Sequence, residues 1–173
     1  MIKRMVSKIK ARNDYVDVHA IANGSLIGLE DVEDPTIAHE KLGPGFAVDP
    51  EDGDIVSPVR GEVIHTFPTK HAVLLQSKEG LDVLVHVGLD SVRLQGEGLQ
   101  IHVQTGDQVK VGKPLITADL DVLREHGISA VSAVIFIDRR QIGELKLLDE
   151  EQPLKAGETL VADVQMQSEE QTA

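Results

Sequence analysis

The amino-acid sequence predicts an all-β domain with short helical turns, and three observations lead to this fold class. The 173-residue chain is 41% apolar but only 2% aromatic, so its core must come from aliphatic side chains, many of them β-branched, and β-branched residues favour strands. Fifteen Gly and seven Pro supply turns between short apolar runs, which is typical of all-β proteins. No long helical repeat interrupts this pattern, and the length suits one domain.

Taken in order, the apolar runs bounded by turn residues predict strands at 16–21, 25–29, 45–48, 61–67, 73–76, 81–87, 99–103, 114–118, 131–137 and 159–164. Two stretches, 36–42 and 119–126, are predicted as brief helices. We expect one domain over residues 16–164, preceded by a basic tail or linker at 1–15 and followed by a polar, disordered tail at 165–173.

A weak internal repeat adds to this picture. "AIANGSLIGL" at 20–29 and "SPVRGEVIHT" at 57–66 share a small residue, a glycine and then alternating apolar positions. "GDQVKVGKPLITADL" at 106–120 is echoed by "QPLKAGETLVADV" at 152–164. Both echoes resemble the half-motif of biotinyl and lipoyl carrier domains. Two copies in one chain predict a flattened β-sandwich or barrel built from a duplicated hybrid motif.

Charge and composition exclude several classes of function. The net charge of −12 disfavours nucleic acid as a partner, because nucleic acids attract basic faces, and it suits solubility or a basic protein partner. The absence of Cys excludes disulfides, thiolate metal sites and a cysteine nucleophile, and fits the reducing cytoplasm. No apolar run is long enough to span a membrane, and no cofactor is expected.

The N-terminal tail is nevertheless basic. Ile2, Met5, Val6 and Ile9 follow a helical spacing among five cations, which are Lys3, Arg4, Lys8, Lys10 and Arg12. This segment could be a short helix on an anionic membrane surface, or a frayed tail or the remnant of a linker.

The segment from Phe67 to Val92 carries the most chemical information. Two apolar runs flank "SKEG", in which Ser first and Gly fourth suit a type I turn. With Lys78 and Glu79 at the centre of a two-residue turn, His71 faces His86 across the hairpin. Directly opposed side chains on one sheet face lie about 4.5–5.5 Å apart. A slip of one residue would instead place the two rings on opposite faces.

Alternation then assigns Leu84, His86, Gly88, Asp90 and Val92 to the face with the histidines, and Val83, Val85, Val87 and Leu89 to the core. A pair of imidazoles beside apolar residues suits three chemistries. It could bind zinc, act as base and acid, or carry a phosphoryl group, since neutral imidazole is a good nucleophile with a pKa near 6.5.

Several segments resemble the glucose-family enzyme IIA proteins of the bacterial sugar phosphotransferase system. They are "EDPTIAHEKLGPGFAVDP" at 33–50, "SPVRGEVI" at 57–64, "FPTKHAV" at 67–73, "VHVGLDSVRLQGEGL" at 85–99 and "GDQVKVGKPLI" at 106–116. The likeness follows the same order over most of the chain, and the segment around His86 is the most specific part.

The resemblance implies a cytoplasmic phosphoryl carrier. His86 would accept phosphate from the phosphocarrier protein HPr and pass it to a cysteine of an enzyme IIB domain. His71 would donate a hydrogen bond to the phosphoryl oxygens, Thr69 would bond within the His71 network, and Asp90 would lie nearby. An apolar docking rim is expected at Ile37, Leu42, Phe67, Leu84 and Val92.

The chain departs from the family pattern at Ile37 and Val87, where aromatic residues are usual. It also departs at Glu40 and Lys41, where the usual lysine is displaced or absent, and at Pro44, where Asp is frequent. These positions fall in the expected rim and bear on partner preference more than on mechanism.

Three other functions compete with this one. A zinc peptidase of related fold needs a third ligand, typically in His-x-His, and a biotinyl or lipoyl carrier needs its lysine in a motif such as Met-Lys-Met; the sequence has neither. A mainly regulatory protein, which binds permeases or kinases according to the phosphorylation of His86, stays open. A pull-down with phosphorylated and unphosphorylated protein separates that function from carrier activity.

Overall fold

The computed structural model describes residues 14–148 and 152–168. The helical pattern and cations predicted for the N-terminal tail, and the last five residues of the C-terminal tail, lie outside the described residues. Within them, the ten predicted strands are all present, and the predicted helices are shorter than expected, as α1 (Pro35–Ala38) and α2 (Leu120–Glu125). No helix in the described part of the chain is long and apolar enough to cross a membrane.

The described residues form fourteen short strands. In chain order they are β1 (Tyr15–His19), β2 (Gly24–Ile27), β3 (Gly45–Pro50), β4 (Asp54–Val56), β5 (Gly61–Thr66), β6 (Ala72–Ser77), β7 (Asp82–His86), β8 (Leu99–Ile101), β9 (Gln108–Val109), β10 (Pro114–Ala118), β11 (Ser132–Phe136), β12 (Ile142–Leu147), β13 (Pro153–Leu154) and β14 (Leu160–Met166). Single turns of 3₁₀ helix lie at Leu29–Asp31, Ser91–Leu94 and Arg139–Gln141.

The strands pair antiparallel in three sheets. The largest sheet has the order β13-β2-β3-β11-β7-β6-β5-β9, and two smaller sheets have the orders β1-β14-β12 and β4-β10-β8. This confirms the all-β class and the flattened sandwich. Of the two forms the sequence allowed, the closed barrel is wrong, because the hydrogen bonding is divided among three separate sheets.

The predicted repeat appears as pseudosymmetry of the large sheet. The glycines that begin β2 and β5 both pack against a neighbouring strand: a Cβ at Gly24 would lie 2.0 Å from the carbonyl oxygen of Asp49, and a Cβ at Gly61 would lie 2.0 Å from that of Gln76. The two segments of the second echo, 106–120 and 152–164, contain β9 and β13. These strands take equivalent places at the two ends of the sheet, since β9 pairs with β5 and β13 pairs with β2. Only glycine allows the close backbone approach seen at Gly24 and Gly61, which explains why both copies of the repeat have glycine there.

The large sheet is apolar on both faces. One face joins the main core, to which alternate residues such as Phe46, Val85 and Val134 contribute. The opposite face carries a smaller cluster, the second cluster, made of Leu29, Val32, Ile37, Ala47, Ala133 and Ile135. Helix α1 and the preceding 3₁₀ turn supply its outer side, so they cover part of the sheet that would otherwise face water.

Two boundaries and four strands differ from the sequence-based expectation. Tyr15 pairs with Gln165 at the ends of β1 and β14, and β14 continues to Met166. The disordered tail predicted to begin at residue 165 is therefore wrong for its first two residues. Strands β4, β9, β12 and β13 were not predicted, because three of them have only two or three residues and β12 alternates weakly on a largely exposed segment.

Candidate functional site

The hairpin of β6 and β7 forms the floor of the site, but its register differs from the predicted one. Ser77 donates its N–H to the carbonyl of Leu81 at 2.8 Å, and Gly80 donates to the carbonyl of Ser77 at 2.9 Å. The loop therefore has three residues, with Gly80 at φ +99°, which is the form in which a type I turn is followed by a left-handed residue. The predicted two-residue turn is wrong, and Ala72, not His71, pairs with His86.

The two histidine rings meet even so. His71 precedes the first residue of β6, after a turn in which Lys70 donates to the carbonyl of Phe67 at 2.8 Å and adopts φ +61°. Because His71 lies outside the strand, the alternation of side chains no longer fixes its direction. Its ring centroid is 5.1 Å from that of His86, and the planes are inclined at 80°. The expected pairing of the rings is confirmed, although the register argument behind it is wrong.

The environment distinguishes the two nitrogens of each ring. Nδ1 of His71 lies 2.6 Å from the hydroxyl of Thr69, the bond that the family resemblance implies. Nδ1 of His86 is buried and has no hydrogen-bond partner among the described residues. Nε2 of each ring differs from this Nδ1 because it is not enclosed by the protein. No described residue forms a hydrogen bond to Nε2 in either ring. Nε2 is thus the nitrogen that each ring offers to an incoming group.

Burial favours the neutral form of both rings. It lowers the pKa of His86 below the ordinary value, while the Gly88 backbone and the Asp34 carboxylate act in the opposite direction. The Gly88 backbone raises the pKa although its geometry relative to the buried Nδ1 is not that of a hydrogen bond. Burial also lowers the pKa of His71, and its neighbour His86 adds to the shift. At neutral pH the site therefore presents two uncharged imidazoles, and a neutral imidazole retains the lone pair that a nucleophile needs.

A row of aromatic contacts leads to the site from the surface. The ring of Phe67 lies 5.6 Å from that of His71, and on its other side the exposed His65 lies 4.8 Å away in an edge-on contact. Phe67 is half-buried, so it borders the histidines as the expected rim requires. His65 was not singled out in the sequence, because its place in this row depends on the turn after β5.

The other expected rim residues divide into two groups. Val92 and Leu42 are 46% and 41% exposed, and half-buried Leu84 packs against the second cluster next to His86. Ile37 is only 3% exposed and forms part of the second cluster. Its assignment to an accessible rim is therefore wrong, since helix α1 turns its only buried residue toward the sheet.

Two carboxylates near the site have roles that the sequence did not distinguish. Asp90 has a left-handed backbone at φ +61° and forms an exposed ion pair of 2.6 Å with Arg93; no bond from it to either ring occurs among the described residues. The carboxylate whose charge acts on His86 is Asp34, which also caps α1 by accepting from the N–H of Thr36 at 2.9 Å. An Asp before Pro at the start of a helix is a recognisable capping pattern in a sequence. The nearness of Asp34 to His86, in contrast, depends on packing between segments that are distant in the chain.

Leu89 also departs from the sequence-based assignment. It is half-buried and packs on the second cluster instead of the main core. The reason is that β7 ends at His86 and Gly88 follows at φ +74°, so the alternation of the strand stops before Leu89.

The arrangement suits transfer of a group to nitrogen better than metal binding. Among the described residues, no three potential ligands of the His, Cys, Asp and Glu types come together in a metal-binding group, and stable zinc sites generally have three or four protein ligands. Two neutral imidazoles with accessible Nε2 atoms, beside apolar surface, instead provide a nucleophile and a neighbouring hydrogen-bond donor.

The fold and site together define an all-β protein in which two histidine rings lie side by side, and comparison with known proteins identifies its family. Residues 16–142 match the model of the phosphoenolpyruvate-dependent sugar phosphotransferase system, EIIA 1. The chain belongs to this family and is a phosphotransferase component of that system.

Similar proteins cover almost the whole chain. The glucose-specific EIIA component of Staphylococcus aureus (strain COL) is 39% identical over 166 residues, which is 96% of this chain and 99% of the relative. The glucose-specific EIIA component of Staphylococcus epidermidis is 38% identical over 164 residues, 95% of this chain and 98% of the relative. The solved structure of glucose permease IIA from Mycoplasma capricolum superposes with a TM-score of 0.79 at 34% identity, covering 86% of this chain and 95% of that one.

Proposed function

We propose that Nε2 of His86 accepts a phosphoryl group from the phosphocarrier protein HPr and passes it to a cysteine of an enzyme IIB domain. The observation that carries this proposal is the state of the His86 ring. The residue is half-buried, burial lowers its pKa, its Nδ1 is buried without a hydrogen-bond partner among the described residues, and its ring centroid lies 5.1 Å from that of a second imidazole.

In this mechanism the lone pair of Nε2 attacks phosphorus as the bond to the donor breaks, so one bond is exchanged for another. Phosphoryl transfer depends chiefly on positioning and on stabilising charge on the equatorial oxygens. His71 is suited to that task. If the Thr69 hydroxyl donates to Nδ1 of His71, the ring proton is on Nε2, where it can be donated to a phosphoryl oxygen.

The apolar surroundings serve the transfer by excluding water when a partner docks. Phe67 is half-buried and its ring contacts that of His71, Leu84 is half-buried two residues before His86 in β7, and Val92 is exposed. We propose that these three residues and Leu42 contact HPr and IIB in turn. The acidic surface, with a net charge of −12, would attract a partner with a basic face. Such an exchange would take place in the cytoplasm.

The proposal is tested by incubating the protein with phosphoenolpyruvate, enzyme I and HPr, and then mapping the acid-labile phosphate. We expect one phosphoryl group per chain, bound to His86 through Nε2, and its loss to an added IIB domain. A chain that stays unlabelled while a known enzyme IIA in the same mixture is labelled would overturn the proposal, as would stable phosphate on a residue other than histidine.

A further inference from the structure

The residues that follow His86 are held by a buried serine from another strand. Ser132 begins β11, one residue before Ala133, which pairs with His86. Its side chain is fully buried. The hydroxyl donates to the carbonyl of Ala130 at 2.9 Å and accepts from the N–H of Gly88 at 3.2 Å. Its one proton is therefore committed to Ala130, which leaves the oxygen free to accept from Gly88.

The backbone around Gly88 shows why this contact matters. Strand β7 ends at His86, after which Val87 donates to the carbonyl of His71 and Leu89 donates to that of Ser129. Between these two backbone bonds, the N–H of Gly88 is bonded by the Ser132 side chain. Gly88 adopts φ +74°, and a Cβ there would lie 3.1 Å from the carbonyl oxygen of Ser129. The turn is thus enclosed, and Ser132 supplies the bond at its centre.

This turn begins directly after His86, whose ring is the proposed phosphoryl acceptor. The Gly88 backbone acts on His86, and Nδ1 of that ring is buried without a regular hydrogen bond. The part of the Gly88 backbone that can favour a proton on Nδ1 is its carbonyl, since only an acceptor stabilises a ring N–H. A movement of the Gly88 N–H away from Ser132 would also turn that carbonyl, because both groups belong to one residue, and would change how closely the carbonyl approaches Nδ1. That approach decides which ring nitrogen carries the proton and hence whether Nε2 keeps its lone pair.

We propose that Ser132 is a positioning residue, which fixes the Gly88 turn against the His86 ring and so keeps Nε2 as the unprotonated, reactive nitrogen. The proposal rests on the role of His86 as the phosphoryl acceptor. Ser132 touches neither phosphate nor partner in this mechanism and acts through Gly88 alone.

The test compares three variants by two measurements. Ser132→Ala removes the hydroxyl, Ser132→Thr keeps it, and Ser57→Ala is the matched control, because Ser57 is equally buried and its hydroxyl donates to the carbonyl of Val59 at 2.7 Å. The first measurement is the ¹⁵N chemical shifts of the His86 imidazole across a pH titration, which report its tautomer and its pKa without any phosphorylation. The second is the rate of phosphoryl uptake from HPr.

We expect Ser132→Ala to shift the His86 tautomer equilibrium toward protonated Nε2 and to slow uptake by about tenfold, since small misplacements of reacting groups can cost up to about 10²-fold. Ser132→Thr should restore both readouts, and Ser57→Ala should change neither. If Ser132→Ala does not fold, Ser132→Cys makes the same comparison, because its thiol is only a weak acceptor.

Unchanged His86 shifts in the folded variant would overturn the role of Ser132, whatever happens to the rate. Similar ring shifts in Ser57→Ala would also overturn it, since they would indicate a general loss of packing. If the wild-type chain takes up no phosphate, the proposed function fails, but the imidazole shifts still decide whether Ser132 positions the ring.

Discussion

Replacing His71 by Gln is expected to separate acceptance of the phosphoryl group from its onward transfer. The ring of His71 lies against that of His86, with Nδ1 fixed by Thr69 and Nε2 open. A glutamine amide can place an N–H near the position of Nε2, so uptake from HPr should fall by less than about tenfold. It cannot gain a proton as charge develops on the phosphoryl oxygens, and removing a stabilising group of this kind costs about 10²–10³ in rate.

That range corresponds to about 2.7–4 kcal/mol of transition-state stabilisation, and we expect it in transfer from phosphorylated protein to a IIB domain. His86→Gln should abolish uptake altogether, because the nucleophile is removed. The matched control is His65→Gln, since His65 belongs to the same row of rings but contacts Phe67 and is exposed; both steps should proceed at the wild-type rate.

Radiolabelled phosphoenolpyruvate, enzyme I and HPr, with quenching at short times, measure uptake, and addition of a IIB domain to isolated labelled protein measures onward transfer. If the His71 variant refuses phosphate while the His86 variant still takes it up, the two roles are assigned backwards. If both variants lose uptake equally, the separation of roles is wrong, and the two imidazoles act as one unit.

Three further predictions concern pH, packing and metal. Burial lowers the pKa of both His71 and His86 in the folded protein. As the pH falls below about 6.5, these two histidines therefore take up protons in the unfolded chain before they do so in the folded one. The free energy of unfolding should accordingly be highest above that pH and decrease as the pH falls toward the lower pKa values of the folded state. Urea midpoints at pH 7.5 and 5.5 check this, and a His71→Gln, His86→Gln double variant should lose part of that difference. Gly61→Ala should lower the free energy of unfolding by about 1–3 kcal/mol, because its Cβ would meet a carbonyl oxygen at 2.0 Å; Gly143→Ala, whose nearest contact would be 3.4 Å, should cost under about 1 kcal/mol, and equal urea midpoints would contradict the packing argument. Dialysis against chelator should leave less than stoichiometric zinc by elemental analysis, since two imidazoles fall short of the usual ligand number; one retained zinc per chain would restore the peptidase interpretation.

Local patterns in the sequence predicted most of the fold because the strands carry their own signals. Alternation placed Val83 and Val85 in the main core, and the repeated glycines indicated a duplicated architecture before any pairing was known. What the sequence could not supply is the contact between segments far apart in the chain. The charge of Asp34 reaches His86 only because helix α1 packs over the sheet, and Ser132 reaches Gly88 only because β11 lies next to β7.

The histidine pair illustrates how the expected meeting of two rings can follow from an incorrect register. The predicted two-residue turn made His71 the residue that pairs with His86. In the structure, the left-handed Gly80 adds a residue to the loop and moves every pairing by one, so that Ala72 pairs with His86. Strict alternation would then have carried His71 to the core face. It does not apply, because Lys70, itself left-handed, ends the turn immediately before His71 and leaves that residue outside the strand. The geometry of the pair is thus set by two backbone conformations with positive φ, one at each end of β6. The direction of the His71 ring depends on the turn at Lys70, before β6, and rules for hairpin loops do not describe that turn.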